Sequence, residues 1–234
     1  MNQHNLATIL LLICEGVLGH EAHEISSRDS PGALAVAFHP GLDRRAPPRL
    51  NRKLFKSVKL THGVMAAMAF AAFFPLGAIA IRTFPGRLAL VAHLGLQFLA
   101  YAFFTAAVGM GMWMSQTLEP FGADFWNHHH VIIGLTVFGL LAVQAVLGIL
   151  HHLMYRRKGR RQIWSYAHIW TGRSLITLGI INGGLGMEMA HVSRPGKIAY
   201  GVCAGLIWIV WMFTAVASEF RTSGRADNQP RSEK

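Results

Sequence analysis

Residues 60–82 read LTHGVMAAMAFAAFFPLGAIAIR, an apolar stretch with His62 near its start and Arg82 at its end. No Asp, Glu, Lys or Arg interrupts the stretch before Arg82. At a rise of about 1.5 Å per residue, a helix of this length covers the hydrocarbon core of a bilayer, which is about 30 Å thick. The stretch therefore predicts a membrane-spanning helix that carries a histidine near one end.

Four further apolar stretches follow, at about residues 88–114, 129–153, 168–190 and 198–220. Backbone polar groups in lipid must be satisfied within their own segment, so each stretch predicts a helix. The composition agrees, because 52% of the 234 residues are hydrophobic and only 14% are charged. We predict an all-α fold, a multi-span transmembrane helix bundle with five spans, of which the first four form the core.

Each of the first four spans has a histidine near its N-terminal end: His62, His93, His130 and His168. A histidine at membrane depth is costly and usually functional. Because the connections are short, neighbouring spans run antiparallel, which places His62 with His130 on one side and His93 with His168 on the other. Each pair offers two imidazoles from facing helices, the axial ligands of a six-coordinate b-type haem. Two such haems predict a one-electron pathway across the bilayer.

Two other functions are compatible with the same residues. One is a divalent-metal transporter or sensor that uses histidines directly, with the cluster His128, His129 and His130 as its natural feature. The other is a membrane scaffold that keeps the fold without electron flow. The chain has no Walker A, Rossmann or zincin motif. Its net charge is +11, but the basic residues flank the spans, which indicates topology and lipid contact and not nucleic-acid binding.

The motifs around the four histidines form a set. They are THGVM at 61–65 with FPLGA at 74–78, AHLGLQ at 92–97, HVIIG at 130–134, and HIWTGR at 168–173 with GIINGGLG at 179–186. Together they resemble the cytochrome b561 family. The likeness covers residues 55–220 and is closest to the membrane part of proteins that join a secreted DOMON haem domain to a b561 domain.

The resemblance implies two haem b groups, one held by His62 and His130 and one by His93 and His168. It selects His130 over its two neighbours, because Gly134 follows it at the family's spacing. It further implies a transmembrane oxidoreductase that takes electrons from cytosolic ascorbate or a similar small reductant. The acceptor would be a ferric chelate, monodehydroascorbate or a secreted redox protein. The resemblance also suggests a homodimer.

Three arginines complete the predicted cofactor-binding set. Arg173, five residues after His168, needs an anion at that depth. A haem propionate is one partner for it, and snorkelling to the interface is the alternative. Arg82 and Arg87 flank a short loop where the resemblance implies ascorbate binding, with simple charge anchoring as the alternative.

The third span ends near two more histidines, His151 and His152. We interpret them as interfacial residues. The alternative is contact to the propionates of the haem held by His93 and His168, which is the inner haem when the N-terminus lies outside, or proton acceptance. His128 and His129 are likewise interpreted as interfacial and solvated, with a propionate contact or an exposed metal site as the alternative.

The remaining segments give the domain organisation. Residues 1–24 predict a signal peptide, with an uncleaved leader as the alternative. Residues 25–59 are a basic linker with Pro and Gly, residues 60–220 the b561 transmembrane domain, and residues 221–234 a polar tail. A signal peptide and the acidic loop at 116–127 favour an N-terminus outside and a C-terminus inside. We expect an integral, multi-pass protein of the plasma membrane or of a secretory-pathway or vacuolar membrane, in contact with lipid.

Overall fold

The computed structural model describes residues 51–227, with side chains up to Phe220, and these residues form helices and turns without strands. The helices are α1 (Arg52–Met68), a π-helical segment (Ala69–Phe73), α2 (Phe74–Thr83), α3 (Gly86–Leu118), which continues into a 3-10 turn (Glu119–Phe121), α4 (His129–Lys158), α5 (Ile163–Met189) and α6 (Arg194–Asp227). The first three are continuous and are called the first rod. The all-α prediction is confirmed. The predicted leader, residues 25–50 of the linker and residues 228–234 of the tail lie outside the described residues.

Each predicted span lies, to within one residue, inside one continuous helix of the structure. The helices extend beyond the predicted limits of the spans. Hydropathy marks only the apolar part of a helix, so it does not detect charged turns at the ends. The first rod therefore begins at Arg52, within the segment that the sequence assigned to the linker. Asn51 caps this end, since its side-chain oxygen accepts a hydrogen bond from the backbone N–H of Leu54 at 3.1 Å.

Four of the described helices are long and apolar enough to cross a membrane: Arg52–Thr83, Gly86–Phe121, His129–Lys158 and Arg194–Phe220. The helix α5 has 27 residues but is not one of the four; it carries several polar side chains, among them Arg173, Asn182 and Glu188. The fifth span therefore stays a prediction. The outer surface is apolar, with Phe98 78% and Phe213 73% exposed, as expected for side chains that face lipid.

The π-helical segment has a local cause at Pro75. Proline has no N–H to donate to the carbonyl four residues earlier, and its ring clashes with that carbonyl. The helix widens over Ala69–Phe73, where the N–H of Phe74 reaches the carbonyl of Ala69, five residues back. A π turn accommodates one residue more than an α-helix over the same rise. The first rod therefore contains one extra residue between its two ends.

The bundle is built from two antiparallel helix pairs. The first rod packs against α3, α4 packs against α5, and the contacts between the two pairs are sparse. Gly159, at φ 65°, ends α4 and turns the chain towards α5. Helix α6 lies mainly against α2 and also touches α5. The core between the helices is apolar and contains Phe70, Phe74, Phe104, Val137, Leu141, Leu175, Ile176 and Trp211.

Candidate haem-binding sites

The two pairs are called outer and inner after the predicted orientation of the chain. The outer pair, His62 and His130, comes from α1 and from the first turn of α4. The imidazole rings of His62 and His130 have their centres 6.0 Å apart, and their planes meet at 81°. His128 is the N-cap residue of α4, and both it and His129 are exposed. The structure thus brings together the two residues that the sequence paired and places the two neighbouring histidines at the surface.

The inner pair comes from α3 and α5. The ring centres of His93 and His168 are 6.5 Å apart, with an angle of 82° between the planes. The two pairs therefore share one geometry, with facing rings that are nearly perpendicular. They lie at two levels of the bundle, separated by the apolar layer around Phe70 and Phe104, whose rings meet edge to face at 4.7 Å.

The ring separations fit one metal ion between the two imidazoles of each pair. A coordinating imidazole nitrogen lies about 2 Å from its metal, so two imidazoles on opposite sides of one ion have ring centres about 6 Å apart. Two imidazoles alone make a poor site for a bare ion, whereas a haem supplies four equatorial nitrogens itself. The side chains that the structure describes contain no cluster of three or more His, Cys, Asp or Glu able to hold a metal ion. The two-imidazole donor set of each pair therefore fits haem.

Backbone carbonyls orient three of the four rings. Nδ1–H of His62 donates to the carbonyl of Ala107 at 2.7 Å, His93 to Gly77 at 2.9 Å, and His130 to Asn182 at 3.0 Å. A histidine whose Nδ1–H is donated to a carbonyl has its Nε2 lone pair free for a metal. The ring of His168 lies beside the backbone of Gln144, but its Nδ1 completes no hydrogen bond with the described residues.

The four contacts repeat one spacing. Each backbone partner lies on a helix that carries a histidine of the opposite pair. In three helices the partner lies 14 residues after that histidine: Ala107 after His93, Asn182 after His168, and Gln144 after His130. In the first rod the distance from His62 to Gly77 is 15 residues. The π-helical segment accounts for the difference, because it accommodates the extra residue. All four helices therefore present a histidine at one level and a backbone partner at the other.

Three glycines allow these rings to lie against the neighbouring helix. A Cβ at Gly111 would lie 3.2 Å from Cε1 of His62, one at Gly148 3.0 Å from Cε1 of His168, and one at Gly186 2.7 Å from Cε1 of His130. Each glycine comes four residues, about one turn, after the backbone partner of the same ring. The sequence showed many glycines in the spans and gave no way to separate these three from those that serve helix packing.

Two curated proteins of Arabidopsis thaliana are similar to this chain. A cytochrome b561 and DOMON domain-containing protein is 32% identical over 146 residues, which is 61% of this chain and 35% of the relative. A cytochrome b561 domain-containing protein is 27% identical over 202 residues, 82% of this chain and 72% of the relative. The chain thus spans about a third of the length of the DOMON-containing relative. No family model and no solved structure matches.

The chain is thus similar to two proteins that carry a cytochrome b561 domain. This similarity agrees with the donor geometry of the two histidine pairs, which fits haem b. Together with the four apolar helices, it makes the chain an integral membrane protein. The DOMON part of the longer relative is a property of that relative only.

A third histidine lies against the inner pair. The ring of His151 stacks on that of His168 with centres 5.8 Å apart and planes 4° apart. Its Nδ1 is 2.7 Å from the hydroxyl of Ser165, a fully buried residue in the first turn of α5. His151 is therefore held beside the inner site. His152 makes no comparable contact among the described residues.

The inner end also contains an arginine cluster. Nη2 of Arg173 is 2.9 Å from Oε1 of Glu219, and Nη1 of Arg161 is 2.5 Å from Oε2 of the same carboxylate. The guanidinium of Arg82 donates to the carbonyl of Ala78 in its own helix. Nothing in the sequence indicates Glu219 as the partner of Arg173, because the two residues are 46 positions apart and meet only through the packing of α6.

Arg173 retains unused hydrogen-bonding capacity. Its Nε is buried without a hydrogen-bond partner among the described residues, and its Cζ lies 5.0 Å from the centre of the Trp170 ring. Arg87 is exposed in the first turn of α3. Whether Arg82, Arg87 and Arg173 bind a cofactor or a reductant stays a prediction.

Proposed function

We propose that the protein carries single electrons across a membrane through two bis-histidine b-type haems. The observation that carries the proposal is the presence of two facing imidazole pairs, His62 with His130 and His93 with His168, in one helical bundle. A haem with two axial imidazoles supplies one-electron chemistry and has no open position for oxygen.

The chain itself orients the ligands and separates the two levels. Carbonyls fix the rings of His62, His93 and His130. The 14 residues between a histidine and the backbone partner at the other level correspond to about 21 Å along a helix. The side chains between the levels are apolar and packed, which excludes water from the interior.

The inner end suits an anionic reductant. Arg161 and Arg173 share the carboxylate of Glu219 there, the charge of Arg82 interacts with all three, and Arg87 is exposed nearby along the chain. A surplus of positive charge concentrates small anions at a surface, and ascorbate is such an anion. The free Nε of Arg173 supports the predicted contact to a propionate of the inner haem.

The outer end suits an anionic acceptor. Four basic residues lie in the first two turns of α1, ahead of His62: Arg52, Lys53, Lys56 and Lys59. Ferric chelates and monodehydroascorbate are anions that such a surface attracts, and a secreted redox protein with an acidic face would also fit. For each electron, the donor loses one and the acceptor gains one, and the chain returns to its starting state.

A dithionite-minus-oxidised difference spectrum of the purified protein, with haem counted per chain and ascorbate tried as reductant, tests the proposal. We expect two b-type haems, at least one of them reducible by ascorbate. Two haems without reduction by ascorbate would keep the pathway and discard this donor. Absence of haem would discard the pathway.

A further inference from the structure

A single carboxylate connects α6 to the inner end of the bundle. Glu219 bonds Arg161, in the connection before α5, through one oxygen and Arg173, in α5, through the other. The side chain of Arg173 is only 11% exposed, so this contact forms where water screens charges poorly. Glu219 therefore holds two guanidinium groups that belong to different parts of the chain.

The same group of charges reaches the inner histidine pair through Arg82. The charge of Arg82 interacts with those of Arg161, Arg173 and Glu219, and also acts on His93 and His168. Arg173 itself follows His168 by about one and a half turns of α5. An ion placed between His93 and His168 would therefore experience the field of Glu219 and of the arginines.

Among the side chains that the structure describes, Glu219 is the only acidic one at this end. The other acidic residues with described side chains are Glu119 and Asp124, in the loop before α4, and Glu188, at the far end of α5. Arg82, Arg161, Arg173 and Glu219 thus form a group with a surplus of two positive charges, and loss of Glu219 would raise that surplus to three. Glu219 supplies the one negative charge of this group.

We propose that Glu219 is a positioning residue that fixes Arg161 and Arg173 and lowers the reduction potential of the inner haem. This inference rests on the proposed function, because it requires a haem between His93 and His168. Reduction adds one negative charge to the site; a nearby carboxylate opposes that change and nearby guanidinium groups favour it.

The test is a redox titration, followed by absorbance at low ionic strength, of the purified protein and of Glu219→Gln. We expect both haems to be retained and the midpoint potential of the inner haem to shift upwards, with the outer haem unchanged. Glu188→Gln is the matched control. It removes the other acidic residue paired with a cation, Lys197 at 2.5 Å, at the opposite end, and should leave the inner haem unchanged.

Arg161→Gln removes a charge of the opposite sign and should shift the inner midpoint potential downwards. This variant also decides the matter if Glu219→Gln does not fold. Two bound haems with an unchanged inner midpoint potential would overturn this inference and leave the proposed function intact. Failure of the unaltered protein to bind haem would instead overturn the proposed function.

Discussion

The imidazoles of His93 and His168 face each other with their centres 6.5 Å apart, although they come from different helix pairs. The two rings do not hold each other in place; each lies against a neighbouring helix of its own pair. His93 is fixed by the carbonyl of Gly77 in the first rod, and His168 lies against Gly148 in α4. Each helix pair therefore orients its own histidine, and the gap between the pairs is where a planar cofactor would fit.

Replacing one ligand should remove one haem only. Because the two levels are oriented independently, His93→Ala should lower the haem content from two to one per chain and abolish transmembrane electron flow. Haem content is measured by the pyridine haemochrome method and flow in vesicles loaded with ascorbate. His129→Ala, at an exposed position beside His130, is the control. Retention of both haems in His93→Ala would show that the ligand assignment is wrong.

The glycine under His130 should be required for the outer haem. A Cβ at Gly186 would lie 2.7 Å from Cε1 of His130, whereas one at Gly184 would meet nothing within 4 Å. Overpacking of this kind costs about 1–3 kcal/mol. Gly186→Ala should therefore displace the ring and weaken the outer haem, while Gly184→Ala should not. Equal loss of haem in the two variants would contradict this role.

The two haems should differ in reduction potential. Both outer histidines, His62 and His130, donate Nδ1–H to a carbonyl, whereas only His93 does so in the inner pair. Such hydrogen bonds make the imidazole more basic, which stabilises the oxidised iron. We expect the inner haem to have the higher midpoint potential, with each haem assigned in variants that lack the other. The reverse order would show that another effect dominates.

The predicted orientation can be tested with cysteines at two exposed positions. Glu119 lies in the loop before α4 and Arg160 lies between α4 and α5. In a background without Cys14 and Cys203, a membrane-impermeant thiol reagent applied to intact cells should label Glu119→Cys and not Arg160→Cys. Labelling of Arg160→Cys alone would invert the topology and exchange the inner and outer sites.

Hydropathy was sufficient to predict the helices, because an apolar segment of bilayer length has few alternatives to helix. The pairing of His62 with His130 and of His93 with His168 followed from antiparallel neighbours. The ends of the helices did not follow, since charged turns such as Arg52 to Lys59 continue a helix beyond the apolar part. The structure brings the predicted pairs together, while haem ligation itself stays a prediction.

The contacts around the histidines could not be predicted from the sequence. The roles of Gly111, Gly148 and Gly186 depend on which helix lies opposite, and this is a matter of tertiary packing. The ion pairs of Glu219 were missed for the same reason, because they join α6 to residues more than 40 positions earlier. Pro75 was visible, but the π-helical segment before it leaves no signal in hydropathy.

That π-helical segment gives the four helices unequal tolerance to loss of a residue. Deleting Ala71 should convert the first rod to a regular α-helix with the 14-residue spacing of the other three, so Gly77 should keep its orientation towards His93. Deleting Ala142, between His130 and Gln144, would instead rotate the rest of α4 by about 100°. The first deletion should leave a protein that still binds both haems, and the second should not. The first rod should therefore tolerate the loss of one residue at the π-helical segment, because His62 and Gly77 would keep their relative orientation.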